Sequence, residues 1–225
     1  MSYYAKRFFG QQQGIVTDGL KLWLDASNPL SYPGSGTTWF DLSGNGNNGT
    51  LVNGVAFSNG AMVFDGVNDY ISFNNSLYVS NSIGHSISIW IKRGNNPPYQ
   101  GIMTIRINSV KSNILMMSGT SSNYSLAYGG VGLSPKSLIT PLTVGQWHNV
   151  TFVALNGTSK VYINGIENTK TYSPSYAGFN EINKFGQYGN NWMLAEINDT
   201  LIYQKALTKT EVLQNFNATK SKYGL

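Results

Sequence analysis

The chain has 225 residues, of which 13% are aromatic and only 11% are charged, and its formal net charge is +5. This length can bury the core of a single β-sandwich, and the scarcity of charge disfavours a helical enzyme. The absence of cysteine excludes disulfides and thiolate metal sites. The scattered basic residues argue against nucleic-acid binding, and no apolar run is long enough to predict a membrane span.

Residues 1–17 are predicted to form an N-terminal arm. Their aromatic side chains are too apolar for a solvated tail, and they follow neither helical nor strand alternation for long. Two interpretations stay open: a segment folded back on the domain, or a docking arm that orders on a partner. The segment carries positive charge but no apolar stretch typical of a signal peptide, which predicts a protein made in the cytoplasm.

From Leu20 onward, apolar and polar residues alternate with period 2, which predicts β-strands. The clearest pattern lies in residues 86–93, where three isoleucines would face one side and Trp90 the other. The remaining strands are predicted at residues 20–25, 61–65, 70–74, 101–107, 113–118, 124–128 and 147–155, and within 193–205.

Two local signals are more specific. Asn164-Gly165 lies between two β-prone segments and predicts a hairpin with a type I′ turn. Thr208 and Glu211 have the spacing of a capping box, which predicts a short helix over about 209–218. Its apolar stripe would be formed by Val212, Leu213 and Phe216.

The densest turn chemistry of the chain lies in residues 39–51. Asp41, Ser43 and Asn45 occupy alternate positions before a glycine, as in the first half of an oxygen-rich calcium loop. Val52 stands where the bidentate glutamate of such a loop would be. The stretch is therefore either a rigid structural turn or a weak calcium site.

Seven short motifs follow one another along nearly the whole chain. They are GLKLWLDA (19–26), WFDLSGNGNNGTL (39–51), FDGVNDYI (64–71), ISIWI (87–91), WHNV (147–150), VYING (161–165) and EINDTLIY (196–203). In this order they resemble the laminin G-like branch of the concanavalin A-like lectin/glucanase superfamily. The resemblance implies an all-β jelly-roll sandwich of two antiparallel sheets with a short C-terminal helix, as one domain over residues 18–225.

The arm and the C-terminal ending look most like stand-alone versions of this domain among tailed-phage virion proteins. This resemblance implies a virion location, with other virion proteins as partners through residues 1–13 or the C-terminal helix, and a homo-oligomer as a further candidate assembly. A cell-surface glycan is the other candidate partner.

An enzymatic function is not expected. Glycoside hydrolases of this superfamily use paired carboxylates on one strand. Glu196 and Asp199 are three residues apart, so in a regular strand they would point to opposite faces. Asp65 and Asp69 are separated by a predicted turn, and neither histidine has a partner nearby in sequence. We therefore assign no catalytic residue, and a degenerate glycanase acting through Glu196 and Asp199 is a third alternative.

Calcium is the candidate cofactor, because members of this superfamily often hold calcium near the rim of the sandwich. Besides Asp41 and Asn45, the candidate ligands are Asp65, Asn68, Asp69 and Asp199. The alternative for the second stretch is structural, with a turn at Asp65 and backbone hydrogen bonds to Asp69.

A carbohydrate site needs aromatic platforms and planar polar groups on exposed loops. The candidate ligand-binding residues are Tyr99, Tyr188, Asn191 and Trp192. The favoured function is a non-enzymatic virion structural, decoration or tail-associated protein that binds another virion protein and a cell-surface glycan. The alternative is a freestanding, calcium-dependent carbohydrate-binding domain.

Overall fold

The computed structural model describes residues 14–80, 82–95, 99–107, 110–120, 123–129, 136–137, 142–156, 158–172, 179–188 and 190–225. Across these residues the chain forms strands β1 (Leu20–Asp25), β2 (Thr38–Trp39), β3 (Gly49–Val52), β4 (Ala56–Ser58), β5 (Ala61–Asp65), β6 (Tyr70–Ser80), β7 (His85–Arg93), β8 (Tyr99–Ile107) and β9 (Val110–Thr120). They are followed by β10 (Asn123–Gly129), β11 (Lys136–Ser137), β12 (Trp147–Leu155), β13 (Thr158–Ile163), β14 (Ile166–Tyr172), β15 (Phe179–Phe185), β16 (Gln187–Tyr188), β17 (Asn191–Trp192) and β18 (Leu194–Tyr203). Helix α1 (Lys209–Thr219) and a 3₁₀ turn (Lys220–Tyr223) end the chain.

The strands form two large antiparallel sheets. The first has the order β14-β13-β12-β7-β18-β5-β4, with β1 also paired to β18. The second has the order β11-β10-β9-β8-β15-β6-β3-β2, and β16 and β17 form a separate short hairpin. The predicted all-β jelly-roll sandwich is confirmed.

The two sheets share one apolar core. Ile87, Ile89 and Ile91 of β7 are fully buried and contribute to it, as the alternation predicted. Ile71 of β6 and Phe185 of β15 contribute from the second sheet. The core therefore holds the inner faces of both sheets together.

Trp39 and Leu51 anchor the turn-rich stretch on this core. Trp39 is fully buried and Leu51 nearly so. Gly49 pairs with Trp39 and with Phe73, and a Cβ at this glycine would lie 2.8 Å from Cγ2 of Ile71. Only glycine lets the strands approach so closely here.

The helix α1 covers part of the outer face of the first sheet. Thr208 and Glu211 form the predicted capping box. Phe216 is 9% exposed and its ring lies 5.8 Å from that of Trp90, while Leu213 is 44% exposed. The stripe is therefore narrower than predicted, because Leu213 faces solvent. Tyr223 of the 3₁₀ turn extends the cover, with its ring 3.8 Å from that of Trp90.

A bulge in β18 corrects one expectation about its acids. The register of β18 against β7 shifts between Ile197 and Thr200, so the alternation slips by one residue. Glu196, paired with Lys92, and Asp199, bonded to Lys222, consequently both project from the outer face of the first sheet. The prediction that they point to opposite faces was wrong.

Residues 14–17 lie against α1 and β18. The Val16 amide donates to Asn215 Oδ1 at 2.8 Å, and the Tyr203 hydroxyl donates to the Val16 carbonyl at 2.9 Å. Gln214 Nε2 donates to the Gly14 carbonyl at 2.8 Å. Residues 1–13 lie outside the described residues, so the arm and its boundary stay predictions.

Among the described residues, no helix has the length and apolar character that a bilayer span requires.

Candidate functional site

The loop after β2 satisfies its own polar groups. Oδ1 of Asp41 accepts hydrogen bonds from the amides of Trp23 and Ser43, each at 2.9 Å. Oδ2 accepts from the Ser43 hydroxyl at 2.8 Å and the Asn47 amide at 2.9 Å. Asn45 donates its side-chain amide to the carbonyl of Leu20 at 3.0 Å. Since each oxygen of Asp41 already has two donors, the geometry fits the structural turn and not a calcium loop.

The loop between β5 and β6 is different, because one carboxylate oxygen is buried without a donor. Asp69 is 3% exposed; its Oδ2 accepts from the Asp65 amide at 3.2 Å, and its Oδ1 has no hydrogen-bond partner among the described residues. Burial raises the pKa of Asp69, and the Asp65 carboxylate adds to the rise. Asp65 itself accepts from the Val67 amide at 2.8 Å. A cation at Oδ1 of Asp69 would fit the chemistry of this atom.

The other two predicted calcium ligands of this group, Asn68 and Asp199, have different hydrogen-bond partners from Asp65 and Asp69. Asn68 offers its backbone carbonyl to the Asn53 side chain at 3.0 Å. Asp199 instead bonds Lys222 Nζ at 3.0 Å and the Tyr223 hydroxyl at 3.1 Å. Burial raises the pKa of Asp199, the Asp25 carboxylate adds to the rise, and Lys222 opposes it. Within the described ranges, no three or more histidine and acidic side chains converge as metal ligands would.

The β16–β17 hairpin packs beside the Asp65–Asp69 loop. Gly186, just before the hairpin, has φ +88°, and a Cβ on it would lie 2.7 Å from Cε1 of Phe64 and 3.1 Å from the Asp69 carbonyl. The Met193 amide donates back to the Gly186 carbonyl at 2.9 Å. The glycine therefore allows the hairpin and the loop to meet at one end of the sandwich.

Trp192 and Tyr70 form a partly exposed aromatic pair where these segments meet. Their ring centroids are 6.2 Å apart and the planes are tilted by 35°. Lys184 Nζ lies 4.2 Å above the Tyr70 ring and donates to Gln187 Oε1 at 3.0 Å. Gln187 is the register partner of Trp192, and Asn191 is exposed next to it. We call Tyr70, Lys184, Gln187, Asn191 and Trp192 the aromatic rim.

The sequence pointed to only part of the aromatic rim. Trp192 and Asn191 were predicted, and the structure places them beside Tyr70 and Lys184, which were not. Tyr70 was assigned to a strand, and nothing in a single sequence links it to residues more than a hundred positions away. The predictions for the side chains of Tyr99, in β8, and Tyr188, in β16, lie outside what the structure describes.

The two histidines and Glu196 of β18 lie among residues of the domain itself. His85 is fully buried 5.8 Å from the Phe152 ring, and burial lowers its pKa to about 4. Nδ1 of His148 lies 3.1 Å from the Gln146 carbonyl, and burial lowers its pKa as well. Glu196 is paired with Lys92 at 2.8 Å. Both ring nitrogens of His85 are buried without a hydrogen-bond partner among the described residues, so this side chain is out of reach of a ligand.

Comparisons with known proteins agree with the fold. The profile of the family described as the concanavalin A-like lectin/glucanases superfamily matches residues 65–213. The chain has no significant match among curated proteins. Among solved structures it is similar to domain 4 of AbnA, a GH43 extracellular arabinanase from Geobacillus stearothermophilus, in complex with arabinotriose. The identity is 22% and the TM-score 0.64, with 87% of this chain and 97% of that chain covered.

Two further structures illustrate the spread of this fold. Trypanosoma rangeli sialidase in complex with the inhibitor DANA matches at 14% identity and a TM-score of 0.70, over 92% of this chain and 34% of the sialidase. The botulinum neurotoxin serotype D binding domain matches at 19% identity and a TM-score of 0.64, over 91% of this chain and 52% of that chain.

The chain spans about a third of the length of the sialidases that it matches. At these identities the structural likeness shows the fold alone. The family match is different in kind, because it covers more than half of the sequence and agrees with the sandwich of two antiparallel sheets. The chain therefore belongs to the concanavalin A-like lectin/glucanases superfamily.

Proposed function

We propose that the protein is a non-enzymatic carbohydrate-binding domain whose ligand lies against the aromatic rim. The observation that carries the proposal is the partly exposed pair of Tyr70 and Trp192 beside Lys184, Gln187 and Asn191. Aromatic rings offer flat surfaces to the C–H faces of sugars, while amide and ammonium groups bond their hydroxyls. A few polar groups around an apolar surface are typical of ligand sites.

The structural relatives support this choice of ligand class. The arabinanase domain, which this chain matches over nearly its whole length, is described in complex with arabinotriose. The sialidase and the toxin binding domain share the fold in larger proteins. A domain of the same size with an oligosaccharide bound makes an arabinan-type oligosaccharide a reasonable first probe.

The surroundings of the acids support a function without catalysis. A glycosidase needs two carboxyl groups that face the same sugar, one of them free to protonate the leaving oxygen. Asp199 is buried beneath Lys222 and Tyr223, and Glu196 is bonded to Lys92. The third alternative, a glycanase acting through these residues, would need both carboxyl groups released from these partners.

A narrower proposal places the protein in a virion, assembled after synthesis in the host cytoplasm. The structure bears on its docking surface, since Gly14 and Val16, which follow residues 1–13, are hydrogen-bonded to α1. Residues 1–13 and the exposed side of α1, which includes Leu213, would then face the same partner protein. Deletion of residues 1–13 should leave the domain folded and abolish assembly; normal assembly of the truncated protein would contradict this proposal.

The carbohydrate proposal is tested by glycan-array binding followed by calorimetric titration of the best ligand. Removing an aromatic residue from the centre of a binding site typically costs about 2 kcal/mol, so Trp192→Ala and Tyr70→Ala should each weaken binding tenfold or more. A release of reducing sugar from the ligand would instead point to an enzyme.

Tyr78→Ala is the matched control. Tyr78 lies in the same strand as Tyr70, eight positions further on, and is 61% exposed. Its removal should leave glycan affinity unchanged. Equal losses in Tyr70→Ala and Tyr78→Ala, or no saturable binding by the wild type, would contradict a site at the aromatic rim.

A further inference from the structure

A separate cavity of about 190 Å³ opens at one end of the first sheet. Its apolar wall includes Val63, Val144 and Leu194, and its polar wall includes Lys92 and Glu196. Lys92 and Glu196 project from the outer face of the first sheet, whereas Tyr70 and Lys184 belong to strands of the second sheet. The cavity is therefore distinct from the aromatic rim.

The backbone around the cavity is fixed by its own hydrogen bonds. The Gly94 amide donates to the Leu194 carbonyl at 2.9 Å, and the Gly145 amide donates to the Arg93 carbonyl at 3.0 Å. A Cβ at Gly94 would lie 2.7 Å from Cγ of Leu194, so a glycine is needed for this packing. The cavity is thus preformed, and its side chains present the surface that a ligand would contact.

The ion pair gives the cavity a donor and an acceptor side by side. Lys92 Nζ lies 2.8 Å from Glu196 Oε1, and the two side chains remain 32% and 28% exposed. An ammonium group has three donors and a carboxylate about four acceptor positions, so one mutual contact leaves both able to bond a ligand. Two adjacent hydroxyls of a sugar supply the matching acceptor and donor.

We propose that this cavity is a second carbohydrate site, which holds one neutral sugar unit through two adjacent hydroxyls. The sugar hydroxyls bond Lys92 and Glu196, and the C–H face of the ring lies on Val144 and Leu194. Since Lys92 and Glu196 neutralise each other's charge, the pair matches a donor and an acceptor of a neutral sugar. The class of ligand rests on the proposed function, whereas the residues of the cavity are independent of the aromatic rim.

The test is an NMR titration of the full-length, ¹⁵N-labelled protein with L-arabinose, D-galactose, D-glucose and N-acetylneuraminic acid. At least one neutral sugar should shift the Gly94 and Gly145 amides saturably, both in the wild type and in Trp192→Ala. Glu196→Gln keeps the shape but removes the charged acceptor, so affinity should fall about tenfold or more.

Val144→Trp should fill the mouth of the cavity and abolish these shifts. Leu155→Trp is the matched control, because Leu155 is 43% exposed against 40% for Val144 and lies at the far end of β12. Leu155→Trp should bind as the wild type does. Thermal melting of each variant establishes that it is folded.

The outcomes separate the two proposals. If no neutral sugar shifts Gly94 and Gly145 while Gly186 beside the aromatic rim responds, the cavity proposal fails and the proposed function stands. If neither region responds to any sugar, both fail. Shifts that persist in Val144→Trp, that vanish in Trp192→Ala, or that only N-acetylneuraminic acid produces would also overturn the cavity proposal.

Discussion

At the scale of single residues, His85 couples the stability of the domain to pH. Its side chain is fully buried in β7, and burial lowers its pKa from 6.5 to about 4. In the unfolded chain the His85 ring is therefore protonated below about pH 6.5, whereas in the folded chain it is protonated only below about pH 4. Stability conferred by the neutral ring is complete above pH 6.5 and is lost as the pH falls through this window.

The expected loss from His85 is about 3 kcal/mol of unfolding free energy between pH 7 and pH 4. Urea denaturation of the wild type and of His85→Phe at both pH values measures it. The variant should lose about 3 kcal/mol less than the wild type over this range. Identical losses in the two proteins would show that folding does not lower the pKa of His85.

Asp69 is the residue at which calcium dependence can be decided. Its Oδ1 is buried without a donor among the described residues, and its Oδ2 accepts from the Asp65 amide. Tyr70 of the aromatic rim is the next residue. With few carboxylates the affinity should be weak, with a Kd on the order of 10⁻⁴–10⁻³ M. Calcium at about 5 mM would then add roughly 1–2 kcal/mol and raise the melting temperature by roughly 2–8 °C.

Differential scanning fluorimetry with calcium and with a chelator makes this measurement. Asp69→Asn should abolish the calcium response. Asp41→Asn should keep it even if the protein is less stable, because each carboxylate oxygen of Asp41 already has two donors. Equal melting temperatures with calcium and with chelator would remove the metal from the account and leave a calcium-independent domain.

At the scale of elements, helix α1 and the 3₁₀ turn close the outer face of the first sheet. Trp90 stacks between Phe216, at 5.8 Å, and Tyr223, at 3.8 Å, and its indole donates to Thr219 Oγ1 at 2.9 Å. A second apolar cluster, which includes Val16 and Leu201, fills the space between this helix and the sheet. The C-terminal elements are thus part of the folded unit.

Phe216→Ala should cost roughly 3–5 kcal/mol of unfolding free energy, because it removes a buried ring that packs on Trp90 and Gly165. Leu213→Ala, on the exposed side of the same helix, should cost less than about 1 kcal/mol. Chemical denaturation of both variants tests the contrast. Similar costs at the two positions would mean that the helix is not packed as described.

The sequence predicted regular elements well and irregular ones poorly. The alternation in β7 and β12 and the Asn164-Gly165 hairpin correspond to the structure, with positive φ at both turn residues. The strand β15 was missed because a register shift lies between Ile182 and Lys184. The shift puts Ile182 and Phe185, three residues apart, into the same core, which hides the period of 2.

The bulge in β18 likewise made the prediction for two candidate catalytic acids wrong. It turned Glu196 and Asp199 to one face, contrary to the prediction, and it cannot be recognised from residue types alone. By contrast, the Asn59-Gly60 turn between β4 and β5 has positive φ at both residues, and its Asn-Gly pair is a hairpin signal that can be read from the sequence.

At the scale of the whole molecule, the fold brings distant segments together at one end of the sandwich. The aromatic rim combines Tyr70 of β6 with Lys184 of β15 and Trp192 of β17. The family motifs predict the sheets but not the contact between these distant segments. That contact depends on the β16–β17 hairpin, which packs beside the β5–β6 loop. For this reason the sequence predicted the sandwich of two sheets but only two residues of the rim, Asn191 and Trp192.

The central claim is that the aromatic rim binds carbohydrate. The most direct measurement is a crystal structure of the protein soaked with arabinotriose, or with the best ligand from the glycan array. We expect density for a sugar ring on Tyr70 and Trp192, with hydroxyls bonded by Lys184, Gln187 or Asn191. Sugar density confined to other surfaces, with the Tyr70–Trp192 pair left bare, would contradict the claim.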